Sequence, residues 1–459
     1  FDSRKACEAS IFFAIPGVLA DGHDYIQSAL EKGCRIIICE RKVPLNNEDV
    51  TCLIVKDTSA ALALICGAFY AYPSEKLKLV GIAGTNGKTT TATLLHDLYS
   101  NLGYACGLIS TVVNKVGNRE IQSTHTTPNS VSLNLLLAEM VDQGCTHCFM
   151  EVSSHSIVQN RTLGLQFIGG VYTNISHDHL DYHKTFREYI KAKKRFFDGL
   201  SSEAFALVNS DDKNGSVMVQ NTKADCFTYG LKSPSDFKAK IIENEISGLI
   251  LNLDGMEFYS RLIGQFNAYN LLTVFAVSCL LGEDKLQTLS ALSDLKSVDG
   301  RFQYVKVEQG PTAIIDYAHT PDALENVLST INSIKKHQSK LYTVVGCGGD
   351  RDATKRPVMA AIASRLSDQI ILTSDNPRNE NPEAILEDMK KGLDDHQKNK
   401  ALSVLDRREA IKLALKLADV KDIVLLAGKG HEKYQEIKGV RHDFDDYQIA
   451  SEFLNQINN

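Results

Sequence analysis

The chain has 459 residues, and this length predicts about three domains rather than one. Its formal net charge of −6 gives no basic footprint, so nucleic acid is not an expected partner. The eleven cysteines are scattered among apolar residues, which favours reduced thiols in a cytoplasmic protein over a disulfide framework. The early apolar stretch 11–20 is broken by Pro16 and Gly17 and is too short to span a bilayer, so neither membrane insertion nor a targeting segment is predicted.

Residues 1–74 are predicted to form a small N-terminal α/β domain. Its strands are expected at 11–15 and 35–39 and its helices at 25–32 and 60–72. Pro73-Ser74 ends the second helix and is expected to link this domain to the next one.

Residues 75–300 are predicted to form a central domain around a parallel sheet. Strand and helix patterns alternate here, which is typical of a parallel sheet with helices on its faces. The expected strands are 79–83, 148–152, 170–175 and 204–208, and the expected helices are 88–100, 184–198 and 268–281. Between 225 and 263 short alternating segments predict antiparallel strands appended to this domain.

Residues 301–459 are predicted to form a C-terminal Rossmann-like α/β domain. Its strands are expected near 312–316, 341–346, 369–374 and 423–427. The loops that follow these strands, at 316–319, 346–351, 375–378 and 428–432, are rich in charged residues and glycine. Because ligands bind outside the carboxyl ends of strands in open α/β sheets, the four loops are expected to line one crevice.

A glycine-rich turn at 81–90 joins a predicted strand to a predicted helix, as a phosphate-binding loop requires. Its glycines let backbone N–H groups converge on phosphate oxygens, and the helix N-terminus adds partial positive charge. Lys88 can reach the β- and γ-phosphates, and the Thr89 hydroxyl can hold Mg²⁺. Ile82 stands where the strict pattern has its first glycine. This variant motif still predicts a nucleoside triphosphate site in a P-loop ATPase-like domain.

Two other predicted strands end beside this loop and carry candidate metal ligands. Glu151 lies at the end of one strand, and the segment 174–183, rich in His and Asp, follows the next. Hard oxygen donors suit Mg²⁺, and one histidine nitrogen is tolerable among them. Glu151 and His179 are therefore predicted magnesium ligands.

Segments distributed along the chain resemble motifs of one known family. They are 84–90 (GTNGKTT), 126–128 (TTP), 151–155 (EVSSH), 178–183 (DHLDYH), 264–270 (GQFNAYN), 300–302 (GRF), 316–321 (DYAHTP) and 428–432 (GKGHE). With these motifs in order over essentially its whole length, the chain resembles the Mur ligases of bacterial cell-wall synthesis. The loop Asp375-Asn376-Pro377-Arg378 resembles that of the members that use meso-diaminopimelate.

The resemblance implies an ATP-dependent acid–amino-acid ligase of peptidoglycan precursor synthesis. Such an enzyme adds meso-diaminopimelate to the D-glutamate of UDP-N-acetylmuramoyl-L-alanyl-D-glutamate, and ATP is cleaved to ADP and phosphate through an acyl-phosphate intermediate. ATP and two Mg²⁺ ions are the implied cofactors. We further expect small molecules as the partners, and a monomer.

The resemblance also implies a role for each of a set of residues. The catalytic residues are Lys88, Glu151, His179 and Lys193, and the metal ligands are Thr89, Glu151, His179 and Lys193 as a carbamate. ATP is expected at Gly84, Thr85, Asn86, Gly87, Lys88, Thr89, Thr90, Asn270, Arg301 and Asp316. The nucleotide-linked peptide is expected at Phe1, Ser3, Val18, Leu19, Ala20, Thr126, Thr127, Ser153, Gln159 and Arg161. Diaminopimelate is expected at Arg351, Asp375, Asn376, Pro377, Arg378, Gly428 and Glu432.

Lys193 lies in a basic helical segment, so composition alone indicates a solvated lysine, and Lys191 and Lys194 are the alternatives if the register differs. Carbamylation requires a neutral amine, which the neighbouring charges of Lys194 and Arg195 favour by lowering its pKa. Arg301 lies across a predicted domain junction from the P-loop, so closure of the third domain is expected to assemble the ATP site.

Arg378 carries the prediction of which amino acid is added. Its guanidinium can bind the distal carboxylate of diaminopimelate bidentately, whereas L-lysine lacks that group and would leave a buried arginine unpaired. Glu432 would accept from the distal ammonium. The alternatives are a lysine-adding Mur ligase, a ligase like folylpolyglutamate synthetase, and a P-loop switch that makes no bond.

Overall fold

The structure is a computed structural model that describes residues 1–17, 20–44, 49–176 and 180–458. Its strands form sheets of three, eleven and six strands and one two-stranded hairpin within these residues. No helix in this part of the chain is both long and apolar enough to cross a membrane. The predicted α/β class and three-part organisation are confirmed.

The first sheet is small and parallel. β1 (Ile11–Phe13), β2 (Ile36–Cys39) and β3 (Thr51–Ile54) lie in that order, with α1 (Ile26–Glu31) and α2 (Thr58–Phe69) packed on them. Phe12 and Ile37 contact Ile26 on one face, and Phe13 and Ile38 contact α2 on the other. β3 was not predicted, because its residues are mostly exposed and show no buried stripe.

The central region contains the longest sheet and its helices. In chain order these are β4 (Lys78–Ala83), α3 (Lys88–Asn101), β5 (Cys106–Ile109), β6 (Val113–Val116), β7 (Arg119–Gln122), α4 (Ser130–Asp142), β8 (His147–Val152), α5 (Ser154–Val158), β9 (Gly169–Tyr172), α6 (Leu180–His183), α7 (Phe186–Asp198), β10 (Phe205–Asn209), α8 (Gly215–Met218), β11 (Asp225–Gly230), β12 (Phe237–Glu245), β13 (Gly248–Leu253), β14 (Met256–Ser260), α9 (Gln265–Leu280) and α10 (Lys285–Ser293). The strand order is β14-β13-β12-β11-β10-β9-β4-β8-β5-β6-β7.

β4 lies in the middle of this sheet, and its apolar residues are fully buried. It pairs in parallel with β8 on one side and β9 on the other, so that Ile82 is opposite Glu151 and Ala83 is opposite Tyr172. The carboxyl ends of the three strands therefore meet at one edge. The P-loop, Glu151 and Thr173-Asn174 all lie at this edge.

The prediction of antiparallel strands between 225 and 263 is correct for β12, β13 and β14 and wrong for β11. β11 pairs in parallel with β10 and extends the parallel sheet. Strand pairing partners depend on contacts distant in the sequence. β11 is only partly buried and lacks the continuous apolar run that is typical of a strand inside a parallel sheet. β12 is the transition, since it pairs in parallel with β11 and antiparallel with β13.

The C-terminal region has a six-stranded sheet with helices on both faces. Its elements are β15 (Gln303–Val305), β16 (Thr312–Asp316), α11 (Pro321–Ile334), β17 (Leu341–Val345), α12 (Lys355–Leu366), β18 (Gln369–Leu372), α13 (Pro382–Lys390), α14 (Asp395–Lys398), β19 (Ala401–Ser403), α15 (Arg407–Leu417), β20 (Ile423–Ala427), β21 (Tyr434–Ile437), β22 (Val440–Asp443) and α16 (Asp446–Asn458). The order is β15-β16-β20-β17-β18-β19, and all pairs except β15·β16 are parallel.

The junction between the central and C-terminal regions is a tight turn at Gly300. Its φ of +63° is a conformation that favours glycine, and a Cβ there would lie 2.0 Å from the His431 backbone nitrogen. Gly300 also accepts a hydrogen bond from the Tyr317 amide. The turn is thus packed directly on the loop that carries Glu432.

Candidate active site

The P-loop geometry follows from two glycines and from the position of Lys88. Gly84 and Gly87 have φ of +154° and +85°, and a Cβ at Gly84 would collide with Thr173 Oγ1 at 1.9 Å. Lys88 Nζ donates to the carbonyls of Gly84 at 3.0 Å and Thr85 at 2.7 Å. The ammonium therefore lies over the loop where phosphate oxygens bind in loops of this kind.

Two residues at the end of β9 hold the P-loop in shape. Asn174 accepts from the Asn86 amide through Oδ1 at 2.9 Å and from the Thr85 amide through its carbonyl at 2.8 Å. Thr173 Oγ1 donates to the Asn86 carbonyl at 2.7 Å. Neither residue was predicted to serve the site. A Thr-Asn pair at a strand end next to the loop was the available signal.

Lys193, the residue predicted to be carbamylated, lies at the P-loop. It is 1% exposed, its Nζ donates to the Gly84 carbonyl at 2.6 Å, and it lies over the Tyr189 ring. The two alternative lysines on the same helix form ion pairs with acids of that helix. Lys191 is exposed and pairs with Glu188, and Lys194 pairs with Asp198. Lys193 is therefore the one of the three lysines that is buried against the loop.

Glu151 is 1% exposed and presents one engaged and one unengaged oxygen. Its Oε1 accepts from the Thr111 amide at 2.6 Å, whereas the buried Oε2 has no hydrogen-bond partner among the described residues. A buried carboxylate oxygen without a donor is costly unless a cation binds there. The residue therefore fits the predicted Mg²⁺ ligand.

The other predicted metal ligands are only partly described. Thr89 lies in the first turn of α3, and its Oγ1 accepts from Arg301 Nη2 at 3.2 Å. His179 lies outside the described residues. Within the described residues no three His, Cys, Asp or Glu side chains cluster as a metal site. The predicted ligand set, Thr89, Glu151, His179 and Lys193, includes only one such side chain in this part of the chain, so this finding does not conflict with it.

The predicted ATP residues outside the P-loop converge on it from two directions. Asn270, on α9, is buried, and its Oδ1 accepts a hydrogen bond from Thr91 Oγ1 at 3.4 Å. The same oxygen lies close to the P-loop, since a Cβ placed on Gly87 would be 2.8 Å from it. Arg301 reaches Thr89 from the C-terminal region and lies over the Tyr317 ring at 4.7 Å. Thr90 is buried in the first turn of α3.

Asp316 lies at the junction and its carboxylate is fully engaged by backbone groups. Oδ2 accepts from the Phe302 amide and Oδ1 from the Ala318 amide, both at 2.8 Å. Burial raises the pKa of this carboxyl to about 6, against the opposing effect of the Arg301 charge. In this state Asp316 holds the turn that carries Arg301. A bond to a ribose would have to share these oxygens.

The residues predicted for the sugar and peptide form one hydrogen-bonded group beside Glu151. Thr127 Oγ1 donates to the Glu151 carbonyl and accepts from the Ser153 amide. Arg161 donates to the Thr127 carbonyl at 2.6 Å and to Gln159 Oε1 at 2.7 Å. Thr126 adjoins this group and accepts from Thr111 Oγ1 at 3.0 Å.

The residues predicted for the uridine end lie in the N-terminal region. Phe1 is half-exposed, Ser3 is buried and its carbonyl accepts from Lys32 Nζ, and Ala20 is exposed. Val18 and Leu19 lie outside the described residues. The structure therefore describes three of these five positions.

The residues predicted for the amino-acid acceptor gather around a buried lysine. Lys429 is fully buried, and its Nζ donates to Asn376 Oδ1 at 3.0 Å and lies 3.4 Å from both Asp375 Oδ1 and Glu432 Oε2. Asn376 Nδ2 also donates to Glu432 at 2.7 Å. Sequence reasoning gave Lys429 no role, although a lysine between two glycines at a strand end was a usable signal.

The pKa values of the two carboxylates in this network are shifted in opposite directions. Burial would raise the pKa of Asp375, but Lys429 and then Arg407 outweigh it and hold that pKa below its ordinary value. Burial and the charge of Asp375 raise the pKa of Glu432, and Lys429 opposes them. The lysine therefore favours the ionised form of both acids.

Arg378 is fixed at the edge of this network. Its φ is +50°, its amide donates to the Glu436 carbonyl, and its Nη1 donates to the Gly349 carbonyl at 2.7 Å. Its Nε lies 3.7 Å from Glu436 Oε2, and the side chain is 20% exposed. The expectation of an arginine left unpaired without its ligand is therefore wrong, because the hairpin residue Glu436 and a loop carbonyl satisfy part of its charge.

The remaining acceptor residues surround Arg378. Pro377 precedes it, and the Pro377 carbonyl would contact a Cβ at Gly349. Arg351 is exposed. A Cβ placed on Gly348 would lie 3.8 Å from the Arg351 Cγ and 2.9 Å from the Arg378 Nη1. Gly428 has φ of +110° and its amide donates to the Asp316 carbonyl. The two arginines thus adjoin one glycine.

A chain of contacts joins the P-loop to the acceptor loop. Thr89 contacts Arg301, which lies over Tyr317, whose ring is 4.8 Å from the ring of His431, the neighbour of Glu432. Burial, with smaller effects from Arg301 and His319, lowers the pKa of His431 to about 3. The imidazole is therefore neutral at this junction. The site thus combines a glycine-rich loop, a buried carboxylate with one unengaged oxygen and a charged acceptor network.

Comparisons with known proteins agree with this arrangement. Three family models match: "Mur ligase family, catalytic domain" over residues 1–70, "Mur ligase middle domain" over 82–278, and "Mur ligase, glutamate ligase domain" over 300–430. A UDP-N-acetylmuramoyl-L-alanyl-D-glutamate–2,6-diaminopimelate ligase of Cytophaga hutchinsonii is 57% identical over 458 residues, which cover 100% of this chain and 94% of the relative. The enzyme of the same name from Phocaeicola vulgatus is 51% identical over 453 residues, which cover 99% of this chain and 94% of that enzyme.

A solved structure of a ligase with that name superposes with a TM-score of 0.71 at 32% identity, covering 100% of this chain and 94% of the other. The relatives therefore extend over the chain from end to end. The chain belongs to the Mur ligase family.

Proposed function

We propose that this protein is an ATP-dependent amide ligase that joins meso-diaminopimelate to the D-glutamate of UDP-N-acetylmuramoyl-L-alanyl-D-glutamate. The observation that carries the proposal is the continuous contact from the P-loop through Arg301, Tyr317 and His431 to the acceptor network. Relatives that carry this activity in their names are 57% and 51% identical over the whole chain.

The chemistry explains why a phosphate loop and an acceptor pocket must adjoin. A carboxylate is a poor acyl donor at neutral pH, so its oxygen first attacks the γ-phosphorus of ATP. The bond from that phosphorus to the bridging oxygen breaks, ADP leaves, and an acyl phosphate forms. The acceptor amine then attacks the acyl carbon, and the tetrahedral intermediate collapses to the amide with loss of phosphate. Lys88 lies at the P-loop to neutralise charge on the phosphates during transfer.

Mg²⁺, when bound, would neutralise the β- and γ-phosphate oxygens. We assign Thr89, Glu151, His179 and carbamylated Lys193 as the residues that would hold two such ions. The buried Oε2 of Glu151, which has no partner among the described residues, and the burial of Lys193 at Gly84 support this assignment.

We assign the group around Arg161 to the muramoyl peptide. Thr127, Ser153 and Gln159 bond to one another or to Arg161 beside Glu151, so the group lies next to the predicted phosphate-transfer centre. The guanidinium of Arg161 would hold an anionic group of this substrate, with Thr126 adjacent. Phe1, Ser3 and the 18–20 turn would hold the uridine end.

We assign Arg378 to the distal carboxylate of diaminopimelate, Glu432 to its distal ammonium, and Arg351 to its other carboxylate. Asp375, Asn376, Pro377 and Gly428 complete this pocket. The arginines adjoin Gly348, and Glu432 lies in the network of Lys429, so both signs of charge are available. A zwitterionic acceptor with an additional carboxylate matches this distribution.

We further propose the domain limits 1–74, 75–300 and 301–459 and a monomeric, cytoplasmic enzyme. In this proposal residues of all three regions of a single chain hold the substrates, so no second copy would be needed to complete the site. The described cysteines are free thiols, as a reducing compartment maintains them.

An ADP-release assay with three acceptors tests the function. With ATP, Mg²⁺ and the muramoyl dipeptide nucleotide, ADP release is expected with meso-diaminopimelate and about a hundredfold less with L-lysine, since lysine lacks the carboxylate that Arg378 would bind. Glutamate should give none. Comparable turnover with lysine would identify a lysine-adding ligase. Turnover of a folate with glutamate would identify a folylpolyglutamate ligase, and release independent of any acceptor would identify a switch.

Replacing Lys193 by arginine should lower kcat by more than about 100-fold. Loss of a residue that only supports a metal ligand typically costs roughly 10- to 100-fold, and Lys193 is predicted to be a ligand itself. Arginine keeps the positive charge but cannot become a carbamate. The matched control is Lys191→Arg, at the exposed ion pair on the same helix, which should keep full activity. ¹³C NMR after incubation with labelled bicarbonate should show a carbamate signal in the wild type and not in Lys193→Arg. Full activity of that variant would contradict the assignment.

A further inference from the structure

Asp322 joins the C-terminal region to the P-loop through its side chain. It lies in the first turn of α11, after the helix cap Thr320 and Pro321. Its Oδ2 accepts from Asn86 Nδ2 at 3.0 Å and from Ser176 Oγ at 2.7 Å. These partners precede Asp322 by 236 and 146 residues, so both bonds cross between the regions.

Both partners of Asp322 are themselves fixed to the phosphate loop. Asn86 belongs to the loop, and its amide donates to Asn174. The Ser176 amide donates to Thr85 Oγ1 at 3.1 Å. Asp322 therefore contacts two groups whose positions depend on the shape of the loop.

A second contact between the regions lies on the other side of the loop. Arg301 Nη2 donates to Thr89 Oγ1, while the turn that carries Arg301 contains Gly300 and is held by Asp316. Thr89 is a predicted metal ligand, so a bound metal ion would share its Oγ1 with Arg301. The bonds of Asp322 come from the Asn86 side-chain amide and the Ser176 hydroxyl, neither of which is a predicted metal ligand, so metal binding would not compete with them.

We propose that Asp322 is a positioning residue that holds the C-terminal domain against the loaded P-loop, so that the acceptor network stays beside the acyl phosphate. This inference rests on the proposed function and extends it to the residue that maintains domain closure. Besides a bond from Asn326 within α11, the carboxylate accepts two bonds from the central region, and such charge-assisted bonds are stronger than bonds between neutral groups. Asp322 would act through Asn86 and Ser176 rather than by contact with a substrate.

Steady-state kinetics and small-angle X-ray scattering of the full-length protein test this role. Asp322→Ala should lower kcat by roughly 10- to 100-fold, the effect of losing bonds to a charged group. Its affinity for ADP alone should stay within about threefold of the wild type, because the loop keeps its bonds to Asn174. Addition of a nonhydrolysable ATP analogue, the muramoyl dipeptide nucleotide and diaminopimelate should compact the wild type but not Asp322→Ala.

Three further variants make the test specific. Asp322→Asn keeps the shape and one acceptor oxygen and should retain more activity than Asp322→Ala. The double variant with Ser176→Ala should lose little beyond Asp322→Ala alone, because the same bond is removed twice. Asp395→Ala, which removes a first-turn acid from another helix of the domain with only a surface ion pair, should match the wild type.

The outcomes separate the two proposals. A wild type that forms no amide product overturns the proposed function. A wild type that turns over while Asp322→Ala has equal kcat and equal compaction overturns the role of Asp322. Additive losses in the double variant also overturn it. Equal losses for Asp322→Asn and Asp322→Ala, with a matching loss of melting temperature, would show a general structural role instead.

Discussion

Lys88→Met should lose ligase turnover by at least about 10²- to 10³-fold, because the ammonium over the P-loop is the protein cation placed to stabilise the charge that develops on the γ-phosphate. Methionine keeps the length and apolar stem of the side chain but removes the charge and its three donors. The measurement is ADP release with saturating ATP, muramoyl dipeptide nucleotide and diaminopimelate.

The control for this variant is Lys285→Met, which removes a lysine of the same region whose ion pair with Asp254 lies at the surface. Its turnover should equal that of the wild type. Both proteins should keep the melting temperature of the wild type within a few degrees, since neither lysine is part of a hydrophobic cluster. Near-normal turnover by Lys88→Met would contradict the assignment of the P-loop as the phosphate-transfer site.

Arg378→Lys should lower kcat/KM for diaminopimelate by roughly 10- to 100-fold and should leave kcat/KM for L-lysine within about threefold of its original value. The substitution keeps a cation near Glu436 but removes the planar guanidinium that binds a carboxylate at two points. The selectivity for diaminopimelate over lysine should therefore decrease by the same factor. Competition between the two amino acids, followed by mass spectrometry of the product, measures this ratio directly.

Arg365→Lys is the matched control, because Arg365 pairs with Glu325 at the surface of the same region. It should leave the selectivity unchanged. If Arg378→Lys lowered turnover with both amino acids equally, the residue would support the loop 346–351 through the Gly349 carbonyl and would not select the acceptor.

The sequence was sufficient to predict those parts of the site that depend on the spacing of residues close together in the chain. The P-loop turn was predicted because glycines between a strand and a helix have few other uses, and Gly84 and Gly87 adopt the positive φ that this reading requires. The crevice at the strand ends was also predicted, since parallel strands bring their following loops to one edge. Lys193 could be chosen over its neighbours only through the family resemblance, and its burial agrees with that choice.

The sequence was insufficient where a role depends on contacts distant along the chain. Nothing near Asp322 in the sequence distinguishes it from an ordinary acid in the first turn of a helix, and its two partners in the central region are more than a hundred residues away. From the sequence, Lys429 looks like a surface residue of a glycine-rich loop. In the structure, the hairpin of β21 and β22 brings Tyr434 and Phe444 near its ammonium. Glu436 was missed for the same reason, because the hairpin that carries it was not predicted.

The most direct test of the account is oxygen transfer from donor to phosphate. The muramoyl dipeptide nucleotide, labelled with ¹⁸O in the reacting carboxylate of its D-glutamate, is incubated with ATP, Mg²⁺ and diaminopimelate, and the released phosphate is examined by mass spectrometry. Attack of this carboxylate on ATP predicts one ¹⁸O atom in each phosphate released, together with the amide product. Phosphate that carries no label would mean that ATP is hydrolysed by water, and the acyl-phosphate ligase would be excluded.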